Sequence, residues 1–254
     1  MQSRGVKPGA PARHHFLIFA SHRPAESFAA SNMPEPYLTE RRHERISKAL
    51  ANRTRRITVL LEDIYDPLNG NAVLRTADGL GIQDIHVAEN RHKFEVHSKV
   101  SGHASHWLTI HRYRENFQAV KDFRVKPEGI PQSTKKAYEG LKAAGYTILA
   151  TSPRGKSDSL RALDITKKYA VALGSEHWGL SDWAMENADM LIALPMLGFT
   201  ESYNISVTGA MMLHFLAERL RSETTDWQLL DAERETLWRE WTIRKIYGKK
   251  KPSP

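Results

Sequence analysis

Two short apolar runs, Tyr169-Ala170-Val171-Ala172-Leu173-Gly174 and Met190-Leu191-Ile192-Ala193-Leu194-Pro195, decide how this chain folds. Each is too short for a helix, shows no polar alternation, and ends on a residue that punctuates the backbone. A short continuous apolar run is the mark of a strand covered on both faces, as in a parallel sheet. Four more such runs lie upstream: Ile57 to Leu61, Ile85 to Ala88, Trp107 to Ile110 and Tyr146 to Ala150. Helical patterns fall between them, at residues 70–80 ending at Gly81, and from Lys135 to Ala144. Residues 122–134 read as a surface loop. Downstream, Asn204 to Arg221 reads as a long helix with Val207, Met211, Met212 and Phe215 on its apolar side. A last helix near residues 226–246 carries Leu230, Leu237 and Trp241 at spacings of seven and four. Ahead of the first strand, Leu38, Ile46 and Leu50 share a helix face, with Thr39 as its cap. Strands alternating with helices predict an α/β domain with a mostly parallel sheet, flanked by N- and C-terminal helices. Ligands of such sheets sit at the carboxyl ends of strands. The informative loops therefore follow Leu61, Ala150, Leu173 and Leu194.

Composition narrows the class. The chain has 254 residues, 41% hydrophobic and 26% charged, which suits a globular domain with a substantial core. No apolar run approaches the ~18 residues of a membrane-spanning helix. The absence of cysteine excludes disulfide scaffolds, cysteine-ligated zinc and thiol nucleophiles, and fits a cytoplasmic protein. The net charge of +8 is unevenly placed. Residues 41–56 carry +6 and residues 241–251 carry +5, which leaves the rest of the chain at −3. Basic segments beside a mildly acidic body point to a polyanion such as RNA. Residues 1–36, rich in Pro, Ala, Ser, His and Arg without apolar periodicity, read as a disordered extension.

Several familiar sites are excluded. Gly155-Lys156-Ser157 lacks the upstream glycine of a phosphate loop, and neither a dinucleotide fingerprint nor a nucleophile elbow occurs. His103 and His106 have no third ligand at a matching place, so no metal site is expected. Three segments remain. Asp66-Pro67-Leu68-Asn69 runs into a helix that carries Arg75 among apolar neighbours, a charge that requires either a structural ion pair or an anionic ligand. Leu173-Gly174-Ser175-Glu176-His177-Trp178-Gly179 places two glycines around an acid just beyond a strand end. Leu194-Pro195-Met196 leads through Ser202-Tyr203-Asn204 to Ser206, a set of neutral hydrogen-bonding groups at a helix N-terminus.

Taken together and in order, these segments resemble the three motifs of the SpoU branch of the SPOUT RNA methyltransferases. The first resembles Asn-x-x-Ala-Ile-x-Arg-Thr-Ala-Asp, the second Gly-x-Glu-x-x-Gly, and the third Ile-Pro-Met-x-Gly-x-x-x-Ser-Leu-Asn-Val-Ser-Val. The resemblance runs from about residue 38 to 246 and is strongest to the members that act on a D-loop guanosine of tRNA. It implies an α/β sheet whose C-terminal part, about residues 170–215, is tied into a trefoil knot. It also implies a homodimer with S-adenosylmethionine as cofactor and no metal. The chain would divide into the extension 1–36, a basic N-terminal helix 37–56, the methyltransferase domain 57–222, and a C-terminal helix and basic tail 223–254. By the same resemblance the cofactor would be held by Thr151, Ser152, Gly174, Leu194, Met196, Ser202 and Tyr203. Catalytic roles would fall to Asn69, Arg75, Glu176, Asn204 and Ser202. RNA contacts would fall to Arg42, Arg45, Arg53, Arg219 and Arg221.

The residue types suit a transfer to a ribose 2′-hydroxyl. Two amides orient groups, an acid holds the first loop or Arg75, and an always-charged arginine holds a phosphate and polarises the hydroxyl. The sequence departs from the family in places. Tyr65-Asp66-Pro67-Leu68 stands where His-Lys-Pro-His is common, Tyr203 stands for the usual Leu, and the region around 118–134 is longer. Two other readings remain at this stage: the same reaction on ribosomal RNA, and a non-catalytic RNA-binding protein on this fold.

Overall fold

The structure is a computed structural model. It describes residues 38–117, 128–152 and 160–247, with side chains as far as Thr242. Six strands, β1 (Ile57–Glu62), β2 (Asp84–Ala88), β3 (Thr109–Tyr113), β4 (Tyr146–Thr151), β5 (Lys168–Leu173) and β6 (Met190–Ile192), form one sheet in the order β3-β2-β1-β5-β4-β6. Every pairing is parallel, for example Leu61 with Leu173 and Val87, and Ala150 with Ala172 and Leu191. The central strands are buried throughout, which is why their sequences show no alternation. The described residues also form the helices α1 (Glu40–Ala51), α2 (Pro67–Gly79), α3 (Gln132–Ala143), α4 (Asp182–Asn187), α5 (Ile205–Glu223) and α6 (Asp231–Tyr247).

Successive residues of each strand point to opposite faces, and each face has its own core. Val59, Leu61, Val171 and Leu173 pack with Val73, Leu74 and Ala77 of α2 and Met212, Leu213 and Leu216 of α5. Leu60, Ala170, Ala172 and Ile148 pack on the other face with Ala137, Tyr138 and Leu141 of α3 and Ala184 of α4. A third cluster joins α1 to α6 through Ile46, Leu50, Leu229, Leu237 and Trp241. The residues from Tyr37 onward form one compact unit. The expected extension 1–36, the segment 155–157, residues 122–127 of the expected loop and the basic tail beyond residue 247 lie outside the described residues.

Tertiary contacts move several boundaries. Helix α2 starts at Pro67, earlier than residue 70, because Asp66 caps it by accepting the Leu68 N–H at 2.8 Å and proline suits the first helical position. Helix α3 starts at Gln132 because the Asn90 side chain accepts the Ser133 N–H at 2.9 Å. Strand β3 starts two residues later than the apolar run, and Trp107 packs edge-on against Trp241, 5.1 Å between ring centroids. In α5 the buried stripe is Met212, Leu213, Leu216, Ala217 and Leu220, whereas Val207 and Met211 face outward. Leu230 is exposed and its neighbour Leu229 takes the core position.

The arginines expected to meet RNA differ in their surroundings. Arg53 is buried, pairs with Asp78, donates to the Ile82 carbonyl at 3.1 Å and lies over the Trp241 ring. Arg219 is paired with Glu223 at 2.7 Å and donates to the carbonyls of Leu160 and Leu163. Arg221 donates to the Leu80 carbonyl at 2.6 Å and stacks on Trp227, and its pKa is lowered by burial. All three side chains are engaged in holding the fold together. Arg42 and Arg45 on α1 are exposed. Replacing Arg53 by alanine is expected to lower unfolding free energy by about 2–4 kcal/mol, because it removes a buried ion-pair partner and its packing. Denaturant unfolding reads this directly, and a loss below about 0.5 kcal/mol would show that the clamp is dispensable.

Candidate active site

The loops after β1, β5 and β6 meet at the carboxyl edge of the sheet. Beyond β1 the chain turns at Asp63, which adopts a left-handed conformation (φ 49°). The Asp63 carboxylate accepts the backbone N–H groups of Asn90 at 2.7 Å and Arg91 at 2.8 Å, so the turn is locked to the end of β2. Beyond β5, Ser175 and Gly179 exchange backbone hydrogen bonds at 3.0 and 2.8 Å, which closes a tight loop and projects Glu176. This closure requires a glycine at position 174, since a β-carbon there would fall inside the backbone of Gly179 and Leu180.

Glu176, Asn69 and Asn204 form a continuous hydrogen-bonded line. Glu176 accepts the Asn69 amide N–H at 2.9 Å through one oxygen and the Tyr65 backbone N–H at 3.1 Å through the other. Asn69 in turn accepts from the Asn204 amide at 3.0 Å. Asn204 caps α5 by accepting the Ser206 N–H at 2.8 Å and the Ser206 hydroxyl at 2.7 Å. A carboxylate only accepts, so the line fixes which way each amide faces. The first, second and third sequence motifs are thus joined through single bonds.

Arg75 lies farther along α2 and is exposed; its side chain crosses Gly102, with Nε 3.6 Å from where a β-carbon would stand. It forms no hydrogen bond or ion pair with any described residue. Among the described residues Arg75 therefore has no ion pair, and its guanidinium faces solvent. Ser202 is exposed in the loop before α5.

The residues expected around a cofactor follow three neighbouring strands, β5, β4 and β6. Thr151 donates its hydroxyl to the Ala172 carbonyl at 3.0 Å, and the Ser152 N–H donates to Ile192 at 3.0 Å. Leu194 and Met196 are half-buried, and Tyr203 reaches back over the loop to the Pro195 carbonyl at 3.5 Å. Neutral hydrogen-bonding groups, apolar side chains and a glycine cradle therefore gather at adjacent strand ends. A separate cavity of about 590 Å³, lined by Arg56, Thr147, Lys167, Lys168 and Asp226, opens at the opposite edge of the sheet and contains none of these groups. Among the described residues no group of acids and histidines is placed to hold a metal ion. Sequence reasoning missed the Tyr65 backbone donor and Gly102. Only the left-handed backbone at Gly102 (φ +60°) explains its residue type, and a single glycine in a polar loop gives no hint of it.

A parallel sheet with its polar side chains gathered at the carboxyl ends of β1 and β5 defines an α/β enzyme with a ligand site between crossover loops. The model of the SpoU rRNA Methylase family matches residues 128–214. A tRNA (guanosine(18)-2′-O)-methyltransferase of Borreliella burgdorferi is 36% identical over 79% of this chain and 84% of its own length. The protein of that name from Thermus thermophilus is 35% identical over 72% and 84%. Among solved structures, the A. aeolicus TrmH/SpoU tRNA modifying enzyme superposes with a TM-score of 0.66 at 24% identity, over 82% of this chain and 98% of that one. The SpoU methyltransferase AviRb from Streptomyces viridochromogenes, solved with AdoMet, gives 0.52 at 23% identity over 69% and 62%, a likeness of fold. The chain belongs to the SpoU family of RNA 2′-O-methyltransferases.

The Gly174 constraint is open to a simple check. Gly174→Ala is expected to weaken S-adenosylmethionine binding by roughly tenfold or more, because the loop must open to admit the methyl group. Calorimetric titration of a folded variant with wild-type affinity would contradict it.

Proposed function

We propose that this chain transfers a methyl group from S-adenosylmethionine to the ribose 2′-hydroxyl of guanosine 18 in the D-loop of tRNA. The observation that carries the reading is the hydrogen-bonded line Glu176–Asn69–Asn204, with Arg75 exposed farther along the helix that carries Asn69. The choice of target follows the names of the Borreliella and Thermus relatives, both of which align over most of their length.

The cofactor would be held by Thr151, Ser152, Gly174, Leu194, Met196, Ser202 and Tyr203, a neutral set that places no cation against a sulfonium. When bound it supplies an activated methyl group, and no metal is required. The protein's own work is orientation and charge. Asn69 and Asn204 have their amides fixed by Glu176 and the α5 cap, so they can align a hydroxyl without reorganising. Arg75 binds the adjacent phosphate and polarises the 2′-hydroxyl, while the proton leaves late in the transfer. Arg42 and Arg45, exposed on α1, would meet tRNA phosphates, with Arg53, Arg219 and Arg221 supporting that face from within the fold.

The same reading includes a homodimer, a trefoil knot across residues 170–215 and a cytoplasmic location. The dimer is supported by exposed apolar side chains, Val207 and Met211 on α5, with Tyr203, Leu197 and Phe199 exposed in the segment that leads into it. Apolar surface of this kind suits an isologous contact. A tRNA substrate and a cysteine-free chain fit the cytoplasm, and among the described residues no helix is long and apolar enough to cross a membrane.

The test is methyl transfer to unmodified tRNA transcripts, with the 2′-O-methyl position mapped. Wild-type protein is expected to modify guanosine 18, and Arg75→Ala to lose roughly 10²–10³-fold in turnover. Transfer to ribosomal RNA alone would redirect the substrate. Near-normal turnover by Arg75→Lys with unchanged tRNA binding would remove the role given to the guanidinium.

A further inference from the structure

The last residue of β1, Glu62, is a carboxylate only 2% exposed at the base of the active-site loops. One oxygen accepts the Thr134 hydroxyl at 2.6 Å and the Ser181 hydroxyl at 2.9 Å, and the other accepts the Ser181 N–H at 2.8 Å. The Thr134 oxygen also accepts from the Asn90 amide at 2.9 Å, and the Ser181 oxygen accepts the Ala184 N–H at 3.1 Å as the cap of α4, while each hydroxyl donates to Glu62. Burial pushes the Glu62 pKa up, and the three donors act against that shift.

The position matters more than the count of bonds. Ser181 ends the loop that begins at Gly174 and carries Glu176. Three residues after Glu62, the Tyr65 N–H donates to the Glu176 carboxylate. The end of β1 thus grips the loop at both sides, Ser181 by side chain and Glu176 by backbone. Thr134 and Asn90 extend the grip to the start of α3 and, through Asp63, back to the turn after β1.

We propose that Glu62 is a positioning residue for methyl transfer: it fixes the 174–181 loop on β1, and so sets where Glu176 holds Asn69 and Asn204. It touches neither RNA nor cofactor. The proposal rests on the methyltransferase reading above and deepens it.

The discriminating variant is Glu62→Gln, which keeps the volume but sets an N–H against the Ser181 N–H or against the two hydroxyls that donate to Glu62. Turnover with tRNA is expected to fall about tenfold or more, while KM for tRNA stays within about twofold. Hydrogen exchange of the Tyr65 and Ser175–Leu180 amides is expected to accelerate, while the amides of α2 and α5 keep their protection. Wild-type turnover and wild-type exchange in the folded variant would overturn the role. If Glu62→Gln does not fold, Ser181→Ala decides: it removes one hydroxyl donor, and the same split between turnover and KM is expected, whereas unchanged turnover overturns the proposal. A wild-type protein that transfers no methyl group would defeat the functional reading instead, and the exchange measurement would still judge the grip of Glu62 on the loop.

Discussion

The hydrogen bond from Asn69 to Glu176 is the interaction on which the rest of the site depends. Glu176 sits on the loop after β5, Asn69 on the first turn of α2, and Asn204 at the cap of α5. These elements are far apart in sequence, and the sheet order sets β1 directly beside β5, so their following loops emerge side by side. Because an ionised carboxylate can only accept, it orients the first amide, which orients the second, which caps a helix. The polarity of the whole line follows from one acid. That direction is fixed before substrate arrives, which is the condition for electrostatic preorganisation.

Charge is used in two ways. The stretch 41–56 has a large local excess of positive charge, yet much of it is neutralised across space. Arg53 meets Asp78, Arg55 meets Asp84 and Glu233, and Arg56 meets Asp226. Those arginines stand where the chain passes from α1 into β1, and they fasten that junction to α2, β2 and the approach to α6. The arginines on α1 itself, Arg42 and Arg45, stay outside. Arg75 is a third case: it is exposed, rests against a glycine and has no acid partner among the described residues. Folding therefore separates cations that hold the structure from cations that face solvent.

Much of this was legible in the sequence. The apolar runs placed all six strands, and the three motifs named the residues that the fold brings into one line. What was not legible depends on distance in space. The run 41–56 could not reveal that Arg53 turns inward, because its acid lies on α2. Leu230 fits the helical period, but Leu229 fills the core, since the approach to α6 is set by packing on α1. The apolar side expected for α5 included Val207 and Met211, and these form an outward row while a neighbouring stripe meets the sheet. Glu62 reads as an ordinary strand-end acid, and only the arrival of Thr134 and Ser181 makes it a buried junction.

The central claim is that Asn69 and Asn204 act as one oriented unit. The most direct measurement is a double-mutant cycle, Asn69→Ala with Asn204→Ala, read by single-turnover methyl transfer at saturating S-adenosylmethionine and tRNA. The account predicts strong non-additivity: the double variant should be slowed little more than the worse single variant, because either change breaks the line. Rate losses that simply multiply would show two independent contacts and would contradict it.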